Sequence, residues 1–399
     1  MIEINPISTL FQVTCQYPES IELLVSLGFP SLKDEQMRRS MGNSITIVDA
    51  LKMKGIPLET FVDELKSKIR ENNPIKRDGA LSIQGILPCP VRVPLTEAFE
   101  KFMADKDLDY PVDYELKAAS MGIDWIKDTL EHKTKEDLPD LFISAGFDLF
   151  FDEKLFGHYK AENLFEDFMA YDNYNEDFNN ETMDLKDPKG QYSIVSVVPA
   201  VFLVNEKELG KRRMPTSWED ILHEDFTNSV SLPVGDFDLF NAILLNISKN
   251  YGDEGIIKLG RSMQKSMHPS EMVKSHMKLL ERPSVTIMPY FFTKMVKEGG
   301  PMVAVWPKDG AIISPIFMLS KKEAKEKVKP FVDFFASKEI GEILSHNGRF
   351  PSVNPEVDNR IPKENTYMWL GWDYLKNQDI SQLIKDAEAL FNQSMKGEI

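Results

Sequence analysis

Beyond residue 80, short apolar runs of strand length alternate with longer amphipathic stretches, and this alternation constrains the fold more than any other feature of the chain. The runs fall at residues 81–87, 140–144, 194–204 (interrupted by Pro199), 230–232, 285–288, 302–306 and 312–319, with a helical stripe at 94–103. Strands that alternate with helices predict a mainly parallel sheet covered on both faces, an α/β architecture.

Residues 1–72 have a different period. Ile21, Leu24, Val25 and Leu27 form a helical stripe that ends at Gly28, a residue suited to a helix stop. Thr46 can cap a second helix carrying Val48, Ala50, Leu51 and Met53. Gly55-Ile56-Pro57 breaks it, and Phe61, Val62, Leu65 and Ile69 share one face of a third. These patterns predict an N-terminal all-α domain over 1–72, followed by a polar, Pro- and Gly-containing linker over 73–79.

Charge excludes some partners. The chain has 63 acidic and 47 basic residues, a net charge of −16. Phosphate backbones and anionic membrane surfaces need clustered Lys and Arg, so nucleic acid and membrane insertion are not expected. A small anion is still admissible, because one arginine or one helix N-terminus suffices to hold it. The two cysteines, Cys15 and Cys89, supply neither a paired-cysteine metal site nor a disulfide framework, and read as free thiols. As written, the N-terminus carries no signal-peptide pattern, and no apolar run approaches the roughly 18 residues of a membrane span. A cytoplasmic, monomeric protein is therefore expected from the residues alone. The acidic stretch 162–187 lacks the ligand spacing of a calcium loop and reads as a solvated surface insertion. No GxSxG, HExxH, Walker A or strand-borne GxGxxG pattern occurs, so no enzyme, cofactor or metal site is expected.

Four segments carry a resemblance: Ser217-Trp218-Glu219-Asp220-Ile221-Leu222, Tyr251-Gly252-Asp253-Glu254-Gly255, Trp306-Pro307-Lys308-Asp309-Gly310-Ala311, and the run from Lys329 to Glu339. Taken in order, they resemble the bacterial extracellular solute-binding proteins of ABC transporters, in the branch that carries ferric iron, thiamine and related solutes. The resemblance implies a bilobed periplasmic-binding-protein-like fold with two mixed sheets and two crossing strands. One lobe would comprise 80–195 plus 318–399, and the other, with the hinge strands, 196–317. It also implies a small-molecule solute in the cleft, an ABC permease as partner, and an extracellular or periplasmic location. A cytosolic sensor or carrier, its helical domain contacting another protein, is the alternative. The first 72 residues resemble a small helical domain of unknown function found beside redox proteins in anaerobes, through Tyr17-Pro18-Glu19, Leu27-Gly28-Phe29 and Thr46-Ile47-Val48-Asp49-Ala50. Where many members of that family have a cysteine pair, Pro30-Ser31-Leu32-Lys33 has none.

Ligands of open α/β sheets sit beyond the carboxyl ends of strands, which singles out several loops. Cys89, Pro90 and Arg92 open a helix, where free N–H groups and a guanidinium suit an anion; a rigid turn with an exposed arginine explains them equally. Ser144, Ala145 and Gly146 end a strand with small residues. Asp236 and Asp238 precede a helix near Leu239 and either cap it or reach the cleft. His268 and Ser270 open another helix, with Ser270 the candidate cap and His268 the candidate ligand. Tyr290 and Phe291 end a strand. Ferric-binding relatives have a tyrosine pair near here, whereas this chain has Tyr290 followed by Phe291 and Phe292, which fits an organic solute better than iron. Asp309 precedes the second crossing, and Arg349 is a second candidate anion contact. An organic anion is the expected solute, with iron the alternative.

Overall fold

The computed structural model describes residues 4–54, 56–72, 79–119, 134–135, 138–147, 149–181, 183–234, 237–280 and 282–399. The expected linker, apart from Gly79, and the candidate Asp236 lie outside the described residues. The chain divides into two compact units, Met1–Asp78 and Gly79–Ile399.

The first unit is helical: α1 (Leu10–Gln16), α2 (Ser20–Ser26), α3 (Glu35–Ser40), α4 (Ile47–Met53) and α5 (Leu58–Asn72). The Thr46 hydroxyl accepts the Asp49 N–H at 3.2 Å and caps α4 as the sequence predicts. Thr9 and Gln12 form a reciprocal capping box on α1. Gly28, at φ 92°, ends α2 in a conformation that glycine adopts without strain. Leu10, Val13, Leu24, Ile47, Leu51, Phe61 and Leu65 meet in one core. α1 and α3 were not expected. EQMRRS has a single apolar residue, and in LFQVTCQ only Leu10 and Val13 are buried apolar residues, so neither shows a stripe; such short helices depend on caps and on the core around them.

The second unit is built on strands β1 (Leu81–Leu87), β2 (Val112–Ala118), β3 (Leu141–Ala145), β4 (Asn179–Asn180), β5 (Met183–Asp184), β6 (Ser193–Asn205), β7 (Val230–Leu232), β8 (Met263–Ser266), β9 (Val285–Pro289), β10 (Met302–Val305), β11 (Ala311–Ser320) and β12 (Tyr367–Met368). The main sheet runs β2-β1-β3-β11-β6-β9-β7-β8, with β10 on β6 and β12 on β11. The two mixed sheets expected from the resemblance share the crossing strand β6 and so run on as one hydrogen-bonded path. β6 pairs with β11 through Pro199 and with β9 from Ala200, and this switch along a single strand joins the halves. Within each half the pairing is parallel, β2-β1-β3 on one side and β9-β7-β8 on the other; the crossing strands β6 and β11 run antiparallel to each other and to β3, β9 and β10, while β12 joins β11 in parallel.

β2 and β8 escaped the sequence pattern. They are the two edges of the path, and their sequences, VDYELKA and MQKS, carry the charges that edge strands tolerate. The segment 162–187 is also corrected. Although acidic, it buries Leu164, Phe165, Phe168, Tyr174, Phe178 and Leu185. The acids alternate with aromatics that enter the core, so composition alone misread an anchored segment as a solvated one. Helices cover both faces. On one, Phe240 of the helix Phe237–Ser262 meets Phe391 of the helix Ile380–Met395 edge-on at 5.2 Å. Another contact joins the helices Arg92–Asp105 and Lys325–Phe335, where Phe102 and Phe331 lie 5.5 Å apart.

Candidate functional site

The point where β6 changes partners defines the site. β6 is buried along its 13 residues except at Val198. Val198 packs against both principal cores of the unit and faces Ser314 of β11 across the ladder. Ser314 is fully buried, yet its hydroxyl has no hydrogen-bond partner. A buried, unpaired hydroxyl is uncommon and marks a place where a further polar group would be stabilised.

Loops from both halves meet beside β6, where the Val197 N–H donates to the Pro351 carbonyl. From the first half comes the segment ending at Phe350, which shares a core with β1 and β3. From the second comes the 3₁₀ turn Tyr290–Met295 after β9. The Arg349 guanidinium lies 4.9 Å from the centre of the Tyr290 ring and donates to the Thr293 hydroxyl. That hydroxyl donates in turn to the Tyr290 carbonyl at 2.7 Å. The Lys294 ammonium donates to the carbonyls of His346 at 3.3 Å and Asn347 at 3.0 Å. Phe291 stacks on Phe350 at 6.3 Å. Beyond them an aromatic series continues, with Tyr290 against Trp306 at 5.2 Å and Trp306 against Tyr367 at 5.4 Å. Burial holds the Tyr367 phenol far above its ordinary range, and its hydroxyl is unpartnered.

The candidate residues are placed unevenly. Cys89 and Pro90 lie in a short 3₁₀ turn, and Cys89 and Arg92 are exposed. Their loop adjoins the Arg349 segment: a Cβ on Gly348 would lie 2.8 Å from a Val91 methyl. Ser144 and Ala145 are buried members of the β3–β11 ladder, opposite Phe317 and Ile316. Gly146, at φ 87°, ends that strand and lies so close to the second half that a Cβ would sit 2.6 Å from the Asp238 carboxylate. Asp238 does not cap its helix; it stands in the first turn of Phe237–Ser262. Ser270 is likewise not the cap. His268 caps Pro269–Met272, its Nδ1 accepting the Ser270 N–H at 3.2 Å and lying 2.7 Å from the Ser270 hydroxyl. Capping therefore engages Nδ1 and leaves Nε2 as the nitrogen that a ligand role would use.

Asp309 has one carboxylate oxygen engaged by the protein. Its carboxylate turns away to accept the Trp218 N–H at 2.9 Å, with the Tyr251 hydroxyl 3.5 Å away, while the Trp218 indole donates to the Gly310 carbonyl. Burial raises its pKa against the lowering effect of that hydrogen bond. That bond ties the start of β11 to the helix Trp218–Ile221, while the other carboxylate oxygen, Oδ1, is buried without a hydrogen-bond partner. The Gly310 N–H is taken by the Pro307 carbonyl at 3.0 Å. Sequence reasoning missed Ser314, Thr293 and Lys294. None of the three lies in a recognisable motif, and only pairing register and loop contact bring them to the junction.

No group of three or more His, Cys, Asp or Glu side chains suited to a metal ion occurs among the described residues. No helix among them is long and apolar enough to cross a membrane.

This fold is that of a solute-binding protein. Residues 136–378, more than half of the chain, match the bacterial extracellular solute-binding protein family, and the chain belongs to it. Residues 4–62 match a domain of unknown function, DUF1858. A spermidine/putrescine-binding periplasmic protein of Haemophilus influenzae is 24% identical over 228 residues, 52% of this chain and 61% of that protein. The match thus spans less than two thirds of the relative's own length. Among solved structures, the apo ferric ion-binding protein A of Pasteurella haemolytica aligns with TM-score 0.55 at 12% identity, covering 79% of this chain and 98% of its own. The periplasmic binding protein AfuA of Actinobacillus pleuropneumoniae, with fructose-6-phosphate bound, aligns with TM-score 0.54 at 15% identity, covering 80% and 99%. At such identities these structures establish the fold alone.

Proposed function

We propose that the protein binds a small organic anion between the two halves of its sheet and delivers it to an ABC-type permease. One observation carries the choice of charge: the half-buried Arg349 spends only one N–H on a described partner, Thr293, while its flat face rests on Tyr290. An arginine held this way presents its remaining donors in a fixed plane, which suits bidentate recognition of a carboxylate or phosphate. Arg92 on the adjoining loop supports the same sign of charge.

Native mass spectrometry of freshly purified protein identifies any co-purified solute, and titration calorimetry with citrate, fructose 6-phosphate and spermidine tests the class. An anion should bind, and Arg349→Ala and Arg92→Ala should each weaken it by about 1.5–3 kcal/mol if they make charge-assisted contacts. A polyamine is the second reading, favoured by the Haemophilus relative and by the aromatic series from Tyr290 to Tyr367. Spermidine binding unaffected by Arg349→Ala, or stoichiometric iron in the purified protein, would replace the anion.

A further inference from the structure

The contacts of Lys294 and Arg349 do more than line a site. Both bonds from Lys294 end on carbonyls of the opposite half, and Arg349 reaches back the other way to Tyr290 and Thr293. Phe291 on Phe350 adds an apolar contact between the same two segments. Every one of these contacts runs from protein to protein, so none needs a solute to form. We propose that Lys294 and Arg349 are a reciprocal clasp that holds the two halves of the sheet shut, and that the clasp sets the ratio of closed to open forms.

Three features support a clasp over incidental contact. The bonds are reciprocal, one cation from each half. Both donors are charged, and hydrogen bonds from charged donors are stronger than neutral ones. Arg349 also keeps a backbone φ of 50°, a left-handed conformation that costs a non-glycine residue free energy and persists where surrounding contacts enforce it. Here the Phe350 N–H donates to the Leu344 carbonyl within the same half, and the Arg349 side chain adds its contacts with Tyr290 and Thr293 of the other. Opening about β6 and β11 would break all of them together, which makes closure a two-state event.

Arg349→Gly is the informative variant, because it removes the guanidinium while placing at that φ the residue that adopts it most readily. Spin labels at Glu100→Cys and Glu224→Cys, exposed positions on the two halves, in a Cys15→Ser/Cys89→Ser background report the separation by electron–electron dipolar spectroscopy. The parent should show a predominant short distance. Arg349→Gly and Lys294→Ala together should move the closed-to-open ratio toward open by about tenfold or more, as expected for losing charge-assisted bonds, with the melting temperature of Arg349→Gly unchanged or higher. Thr293→Val, which keeps both cations and removes one acceptor, should give an intermediate ratio. Identical distance distributions in the parent and the double variant would overturn the clasp. So would an open parent. Neither result bears on whether citrate or spermidine binds, so the clasp and the solute class are tested separately.

Discussion

Ser314 and Val198 face each other across the two crossing strands, and the Ser314 hydroxyl is fully buried without a hydrogen-bond partner. Deleting a group that already lacks a partner relieves its desolvation cost, so Ser314→Ala should leave stability within about 0.5 kcal/mol or raise it. If the solute is held beside β6 and β11, as proposed above, the same substitution should also reduce the amount of co-purified solute. Chemical unfolding and native mass spectrometry on the same preparation check both halves of the expectation; a clear loss of stability with full solute retention would make Ser314 a packing residue only.

Asp187 is buried beside Lys376, and its carboxylate also accepts the N–H groups of Lys189, Gln191 and Tyr192. Lys376→Ala strands a buried negative charge and should destabilise the second unit by about 3 kcal/mol. Lys376→Met with Asp187→Asn, which removes both charges, should cost less than Lys376→Ala alone. Equal losses would show that the ion pair contributes little.

The raised pKa of Asp309 gives a pH dependence with a definite sign. The folded protein holds this proton where the unfolded chain has already released it. Stability from this group is therefore greatest at low pH and falls as pH rises from the ordinary carboxylate value, about 3.9, to the raised one. Asp309→Asn retains an oxygen for the Trp218 N–H and removes the titration. Urea unfolding of both proteins between about pH 3.5 and 7 should show wild type losing ground to the variant as pH rises; parallel curves would mean that the carboxyl titrates normally.

The first unit has its own core and caps, so a chain beginning at Gly79 should retain solute affinity within about threefold, under ~0.7 kcal/mol. Within residues 1–78, Thr46→Ala should lower stability by about 1 kcal/mol through loss of the α4 cap. A tenfold or larger loss of affinity on truncation would show that the helical unit completes the site.

By itself the sequence determined the parts whose evidence is local. Strands buried on both faces, such as β3, β6 and β11, are continuous apolar runs and could be read directly. The stripes of α2, α4 and α5 and the cap at Thr46 were equally legible, because helix period and capping chemistry lie within a few residues. The charged edges β2 and β8, and the aromatic anchors of segment 162–187, were not, since their meaning depends on what they pack beside. The tertiary structure alone decided the site. It turned Asp309 toward Trp218, gave the cap to His268, and aligned Ser314 with Val198 through a register that no sequence pattern states. It also brought Arg349 to Tyr290 and Lys294 to His346, residues from opposite halves of the sheet that meet only because β6 and β11 fold the halves together.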